Sequence, residues 1–292
     1  MKRIGSGKSS GKVILMGEYA CVFGYPSIAV PTPRHKIETT ITMKQPEKVL
    51  DSVQDLFLKK IRKRLDIFDP LSLKIDSNIP LARGMGSSAA LFHSIVLALN
   101  DLYSLNLSKK NILELVSIGE TIAHGNPSGL DATTVVSGKL TYYQKYGVQK
   151  NIDININASL LVVDSGIPSN TKSAVDFLNK IMRTATDDTT RYLKQLGNNT
   201  EKFFQLLTKG ALKELGESMI SSHEVLKKIG ASLPVLDEIV QIALDNGGLG
   251  AKLTGSGRGG CVIVLCKSRT VNHIKTTIKS LSPEIRIWEQ KI

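Results

Sequence analysis

Aromatic residues make up only 5% of this 292-residue chain, and there are three cysteines. So few aromatics leave no interleaved aromatic and basic stretches of the kind that stack nucleic-acid bases. Cys21, Cys261 and Cys266 have neither metal-ligand spacing nor the even number of a disulfide framework, so they read as reduced thiols. Purely apolar runs such as Val262 to Leu265 are far too short to span a bilayer. Met1-Lys2-Arg3 is followed by Ile4 and then by Gly, Ser and Lys rather than an apolar stretch, so no signal peptide is expected. The expectation is a cytoplasmic protein with no membrane partner.

Charge is not in short supply. The formal net charge is +12, which suits either nucleic acid or small anionic substrates such as nucleotides. The densest basic run, Lys59-Lys60-Ile61-Arg62-Lys63-Arg64, lies in an amphipathic pattern with Leu56, Phe57, Ile61 and Leu65 and predicts the wet face of a helix.

The pattern along the chain mixes strands and helices. Strands are predicted at Val13–Met16, Ser27–Val30, His35–Met43 and Leu71–Ile75, then at Leu140–Tyr143 and Leu160–Val163. A helix is predicted from Ser87 and another after Ser108, a suitable N-cap, ending at Gly125 and Pro127. Residues 171–246 are mostly helical in pattern. Beyond them come strand, glycine turn, strand, helix and strand. The length suits two α/β domains, with the boundary placed at 165: residues 1–165 and 166–292.

GSGKSSGK, residues 5 to 12, imitates a phosphate loop. Walker A demands G-x-x-x-x-G-K-[ST] after a strand and before a helix. The first glycine would fall on Lys2 or Ser6, and the residues after Lys12 read as a strand. Residues 5–9 are therefore expected to be a flexible basic leader. Lys12 heads a buried strand, and it either snorkels at the strand end or points into a site.

Pro80-Leu81-Ala82-Arg83-Gly84-Met85-Gly86-Ser87-Ser88-Ala89-Ala90 is the better phosphate loop. Gly84 and Gly86 permit positive φ and close backbone approach. The helix after the loop offers N–H groups and a dipole to an anion. An ordinary Gly-Ser loop with a serine N-cap would look the same in isolation. Likewise, Asp131 on its own reads as a helix-start acid with Lys12 as its salt-bridge partner.

This loop resembles the central motif of the GHMP kinases. Two further stretches agree: Gly11 to Ala20 (GKVILMGEYA) resembles the first motif and Lys252 to Cys261 (KLTGSGRGGC) the third. His124-Gly125-Asn126-Pro127-Ser128-Gly129-Leu130-Asp131 resembles the mevalonate kinase branch, particularly its shorter bacterial members, and Trp288 fits the same branch. The resemblance implies an α/β (α+β two-layer) fold with two domains. The N-terminal one would be like domain 2 of ribosomal protein S5, the C-terminal one ferredoxin-like, with the active site in the cleft.

The resemblance also implies ATP-dependent phosphorylation of the primary hydroxyl of (R)-mevalonate in isoprenoid synthesis. Residues 80–90 would bind ATP, and Ser88 and Glu120 would hold Mg²⁺. Asp131 would be the general base, with Lys12 beside it. Glu18, Tyr19, His124, Ser128, Thr171, Gly255, Ser256 and Gly257 would line the acceptor site. Tyr19 departs from the usual pattern: mevalonate kinases carry G-E-H-A, whereas G-E-Y-A is more typical of phosphomevalonate kinases. The expected partners are mevalonate and ATP, with no nucleic acid. A homodimer is an open alternative to a monomer. An RNA-binding role, suggested by the charge and an S5-like domain, would show itself as strongly salt-dependent binding.

Overall fold

Strand β1 runs unbroken from Ile4 to Met16, so the stretch expected to be a flexible leader is ordered sheet. Gly5, Gly7 and Ser9 are buried while the residues between them face outward. The reason is close approach. A Cβ on Gly5 would lie 2.3 Å from the Ala98 carbonyl oxygen, and one on Gly7 2.1 Å from that of Ser94. Both contacts are with helix α2 (Ser87–Tyr103). The glycines that imitate a phosphate loop are there to let a helix lie flat on the strand. The computed structural model describes residues 3–45, 50–153, 156–169 and 187–292. Residues 171–186 of the stretch expected to be mostly helical, Thr171 among them, lie outside these.

The two strands expected at 27–30 and 35–43 are one, β2 (Ser27–Met43). Pro31 and Pro33 lie inside it, and the sheet accommodates them. β4 (Leu140–Tyr143) pairs with Ser27–Ala29, and β3 (Leu71–Ser77) pairs with Ile37–Met43, both antiparallel. Pro31 and Pro33 fall between these two ladders, where a missing N–H disrupts neither. The strand order is β1-β2-β4-β5, with β5 at Gln149–Ile152 and β3 also on β2.

The chain forms two compact units that alternate along the sequence. One comprises Met1–Lys12, Pro31–Pro80 and Gly86–Lys139; the other comprises Val13–Val30, Leu81–Met85 and Leu140–Ile292. The first unit centres on α1 (Ser52–Arg64), α2 and α3 (Lys109–His124). The Phe57 and Phe92 rings meet with centroids 4.5 Å apart. Gly119 of α3 clears space for Phe92, whose ring a Cβ would meet at 2.3 Å. The basic run of α1 ends that helix, where positive charge suits the dipole. Ser108 caps α3 in a reciprocal capping box with Asn111. A short helix α4 (Leu130–Ser137) comes next.

The second unit holds an antiparallel sheet in the order β7-β8-β6-β9. Its strands are β6 (Ser159–Asp164), β7 (Gly248–Thr254), β8 (Cys261–Cys266) and β9 (Arg286–Lys291). Helices α5 (Asp187–Leu207), α6 (Leu212–Lys228), α7 (Pro234–Asp245) and α8 (Val271–Lys279) belong to the same unit. Leu161, Val163, Leu236, Ile239, Leu253 and Val262 form the centre of its core. All three cysteines are buried. Among the described residues no helix is long and apolar enough to cross a membrane.

Candidate active site

In the first unit, four elements bring the predicted chemistry together. β1 places Lys12 at 2% exposure, and its Nζ lies 3.0 Å from Asp131 Oδ1 in the first turn of α4. The lysine stem passes beneath the start of α2, where a Cβ on Gly86 would lie 2.9 Å from Lys12 Cε. Gly86 is also left-handed, with φ +67°, so this position requires glycine twice over. Gly86 has no side chain to cap α2, and the first N–H groups of a helix have no partner within it. Ser87, Ser88, Ala89 and Ala90 therefore start a helix whose open end favours an anion. Ala89 and Ala90 are fully buried.

Ser88 Oγ donates to Glu120 Oε1 at 2.8 Å. Glu120, on α3, is 4% exposed. Burial, and secondly the charge of Asp131, raise its pKa to about 7; the Ser88 hydrogen bond and Lys12 pull the other way. One turn on, His124 Nε2 lies 4.0 Å from Glu120 Oε1. Burial holds His124 below its ordinary pKa, against the pull of Asp131. Ser128 Oγ accepts from the Leu130 amide at 3.3 Å and so shapes the turn into α4.

The glycine loop is shared between the units: Pro80 and Gly86 onward belong to the first, Leu81–Met85 to the second. In the second unit, Arg83 Nε donates to Asp164 Oδ1 at 2.6 Å and its Nη2 to the Gly166 carbonyl at 3.1 Å. The guanidinium is thus tied to the end of β6. Gly84 and Gly255, both left-handed, touch: a Cβ on Gly255 would lie 3.1 Å from Gly84 Cα. Ser256 Oγ and Ser169 Oγ are 2.7 Å apart, and Ser169 Oγ donates to the Gly257 carbonyl at 2.9 Å. Glu18 is 1% exposed and forms an ion pair with Lys252, which is 0% exposed. Tyr19 donates its hydroxyl to the Ser256 carbonyl.

Two partners escaped the sequence reading. Lys252 was visible as a lysine inside an otherwise buried strand, and Asp164 as an acid ending another. Neither pattern names its partner, because Glu18 is 234 residues from Lys252 and Arg83 is 81 from Asp164.

Comparison with known proteins adds a second line. The model for the GHMP kinases N terminal domain matches residues 51–139, and that for the GHMP kinases C terminal matches residues 203–282. The mevalonate kinase of Aeropyrum pernix is 28% identical, over 97% of this chain and 95% of its own. The structure of L. major mevalonate kinase in complex with R-mevalonate superposes with a TM-score of 0.86 at 27% identity, covering 100% of this chain and 98% of that one. The Streptococcus pneumoniae phosphomevalonate kinase gives 0.85 at 17% identity, over 99% and 100%, a likeness of fold alone. With both domains of the family matched in order and the glycine loop opening a buried helix, the chain belongs to the GHMP kinases.

Proposed function

We propose that the chain is a mevalonate kinase, which transfers the terminal phosphoryl group of ATP to the primary C5 hydroxyl of (R)-mevalonate, giving 5-phosphomevalonate and ADP. The observation that carries this reading is the Lys12–Asp131 pair at 3.0 Å, in the same unit as the Ser88–Glu120 pair. Full-length similarity to mevalonate kinases supports the choice of acceptor.

Phosphoryl transfer needs positioning, neutralised charge and an activated hydroxyl. The open N-terminus of α2 holds the phosphates by the backbone N–H groups of Gly86 to Ala89 and by the dipole, while Ala90, whose amide donates to the Gly86 carbonyl, keeps the first turn slim behind them. Pro80 to Met85 complete the loop, with Arg83 bracing it through Asp164. The Asp131 carboxylate, 33% exposed and so open to a ligand, accepts the proton of the C5 hydroxyl. Lys12 faces the same oxygen and stabilises the alkoxide as it forms. His124 and Ser128 flank this acid and contribute to acceptor binding.

A hydroxyl and a buried carboxylate joined at 2.8 Å are hard oxygen donors that suit Mg²⁺. The raised pKa of Glu120 fits the same assignment, because a cation would favour the carboxylate that burial now disfavours. Bound there with ATP, Mg²⁺ would neutralise charge on the phosphate oxygens. Along the sequence, we assign the catalytic part to residues 1–165 and the C-terminal part to 166–292. The two family models fall on either side of that division.

Phosphomevalonate kinase is the second reading, favoured by Tyr19. Its weight drops because the Tyr19 hydroxyl is donated within its own unit, to the Ser256 carbonyl. A panel of acceptor alcohols in a coupled ADP assay separates the two. Turnover on phosphomevalonate without turnover on mevalonate would select the second.

A further inference from the structure

Tyr19 sits in a backbone conformation that bulky residues rarely adopt, with φ 62° and ψ −47°. The Ala20 amide donates to the Glu18 carbonyl at 2.7 Å across it, which makes residues 18–20 the strained form of the γ-turn. Such strain persists only where surrounding contacts enforce it, and it concentrates at functional sites. Here both sides of the turn are anchored to one segment. Glu18 pairs with Lys252 in a fully buried ion pair, and Lys252 Nζ also donates to the Leu253 carbonyl at 2.7 Å. The Tyr19 hydroxyl reaches the Ser256 carbonyl. Just before the turn, the Ile14 amide donates to Thr254 Oγ1 at 2.9 Å, and that hydroxyl donates back to the Ile14 carbonyl at 2.9 Å.

We propose that Glu18 and Lys252 are a positioning pair: they hold the Tyr19 turn in register with the glycine turn at 255–257, and so shape the acceptor-binding wall without touching substrate. The inference deepens the kinase reading and rests on it. A buried ion pair is poor evidence of a stability role, since apolar residues of similar volume often serve the fold as well. What it supplies is direction. Apolar side chains would keep the two segments close but would not fix the tyrosine hydroxyl on one particular carbonyl.

That difference gives the test. The double variant Glu18→Leu with Lys252→Met leaves no buried charge unpaired and is expected to fold, with a melting temperature near that of the parent. Its KM for mevalonate should rise at least tenfold, while its KM for ATP changes less than threefold. Tyr19→Phe alone, which keeps the ring and removes only the hydroxyl, should raise the same KM. Adding it to the double variant should bring little further change, because interacting residues are not additive. A folded double variant with parental constants would overturn the proposal. So would an equal rise in both KM values, or full additivity with Tyr19→Phe. Should the double variant not fold, a Tyr19→Phe enzyme with parental KM values would overturn it equally. Failure of the kinase reading itself is distinguishable, because the parent protein would then release no ADP with mevalonate.

Discussion

Lys12 Nζ lies 3.0 Å from Asp131 Oδ1, a lysine buried to 3% of its side chain against a carboxylate exposed to 33%. The lysine is held by the sheet and by the helix start above it, and the acid is open on one side. That asymmetry suits a fixed cation and a base that must meet a substrate. Asp131→Ala should lower kcat by about 10²–10⁴-fold while ATP affinity changes only a few-fold. Lys12→Ala should fall in the same direction. Lys8→Ala, four residues earlier, should be near silent, since its 3.1 Å pair with Glu38 is exposed and surface pairs contribute little. Steady-state kinetics and ATP titration on the three variants check this. Near-parental turnover by the Asp131 variant would remove the base assignment.

Glu120→Gln should raise the Mg²⁺ concentration needed for half-maximal turnover by roughly tenfold or more, since it replaces a charged oxygen donor with a neutral one. Ser88→Ala, which removes the hydroxyl donated to that carboxylate, should move it the same way by less. Activity titrated with Mg²⁺ at saturating ATP reads both. An unchanged midpoint in both variants would place the metal elsewhere.

Gly7→Ala should destabilise the protein by about 1–3 kcal/mol, because its Cβ would fall 2.1 Å from the Ser94 carbonyl oxygen and α2 would have to shift. A flexible leader would tolerate the change. Chemical denaturation distinguishes the two.

Much of the fold was legible because its signals are local. Ser108 announced the N-cap of α3, and alternation announced β3. The leader at residues 5–9 was misjudged because small polar residues and glycine describe both a mobile segment and a strand lying tight against a helix. Residues 27–30 and 35–43 read as two strands where the fold has one, β2, since sequence does not show where a neighbouring ladder stops. At the site, the glycine loop could be read from its residues. The Lys12–Asp131 pair could be read as a salt bridge, and its catalytic role was implied only by resemblance; the Glu18–Lys252 and Arg83–Asp164 pairs were invisible. Pairs so far apart in sequence are made by the fold, and no spacing rule encodes them.

Stability should fall as the solution is acidified from about pH 6.5 towards 4. Burial lowers the pKa of His93 from 6.5 to about 4, and its Nδ1 shares a 2.9 Å hydrogen bond with Ser9 Oγ. A histidine held neutral contributes its stability above the unfolded pKa and loses it as pH falls through the folded one. A displacement of this size corresponds to at most about 3 kcal/mol. His223, also lowered to about 4 chiefly by burial, adds to the slope. His93→Asn should flatten the melting temperature profile between pH 6.5 and 4 without abolishing the slope. An unchanged profile would mean that His93 titrates normally in the fold.

The most direct test of the whole account is product formation by the purified chain with ATP, Mg²⁺ and (R)-mevalonate, set against phosphomevalonate under the same conditions. ADP release with 5-phosphomevalonate as product is expected, with kcat/KM for mevalonate at least 100-fold above that for phosphomevalonate. Turnover confined to phosphomevalonate, or no turnover on either acceptor, would contradict it.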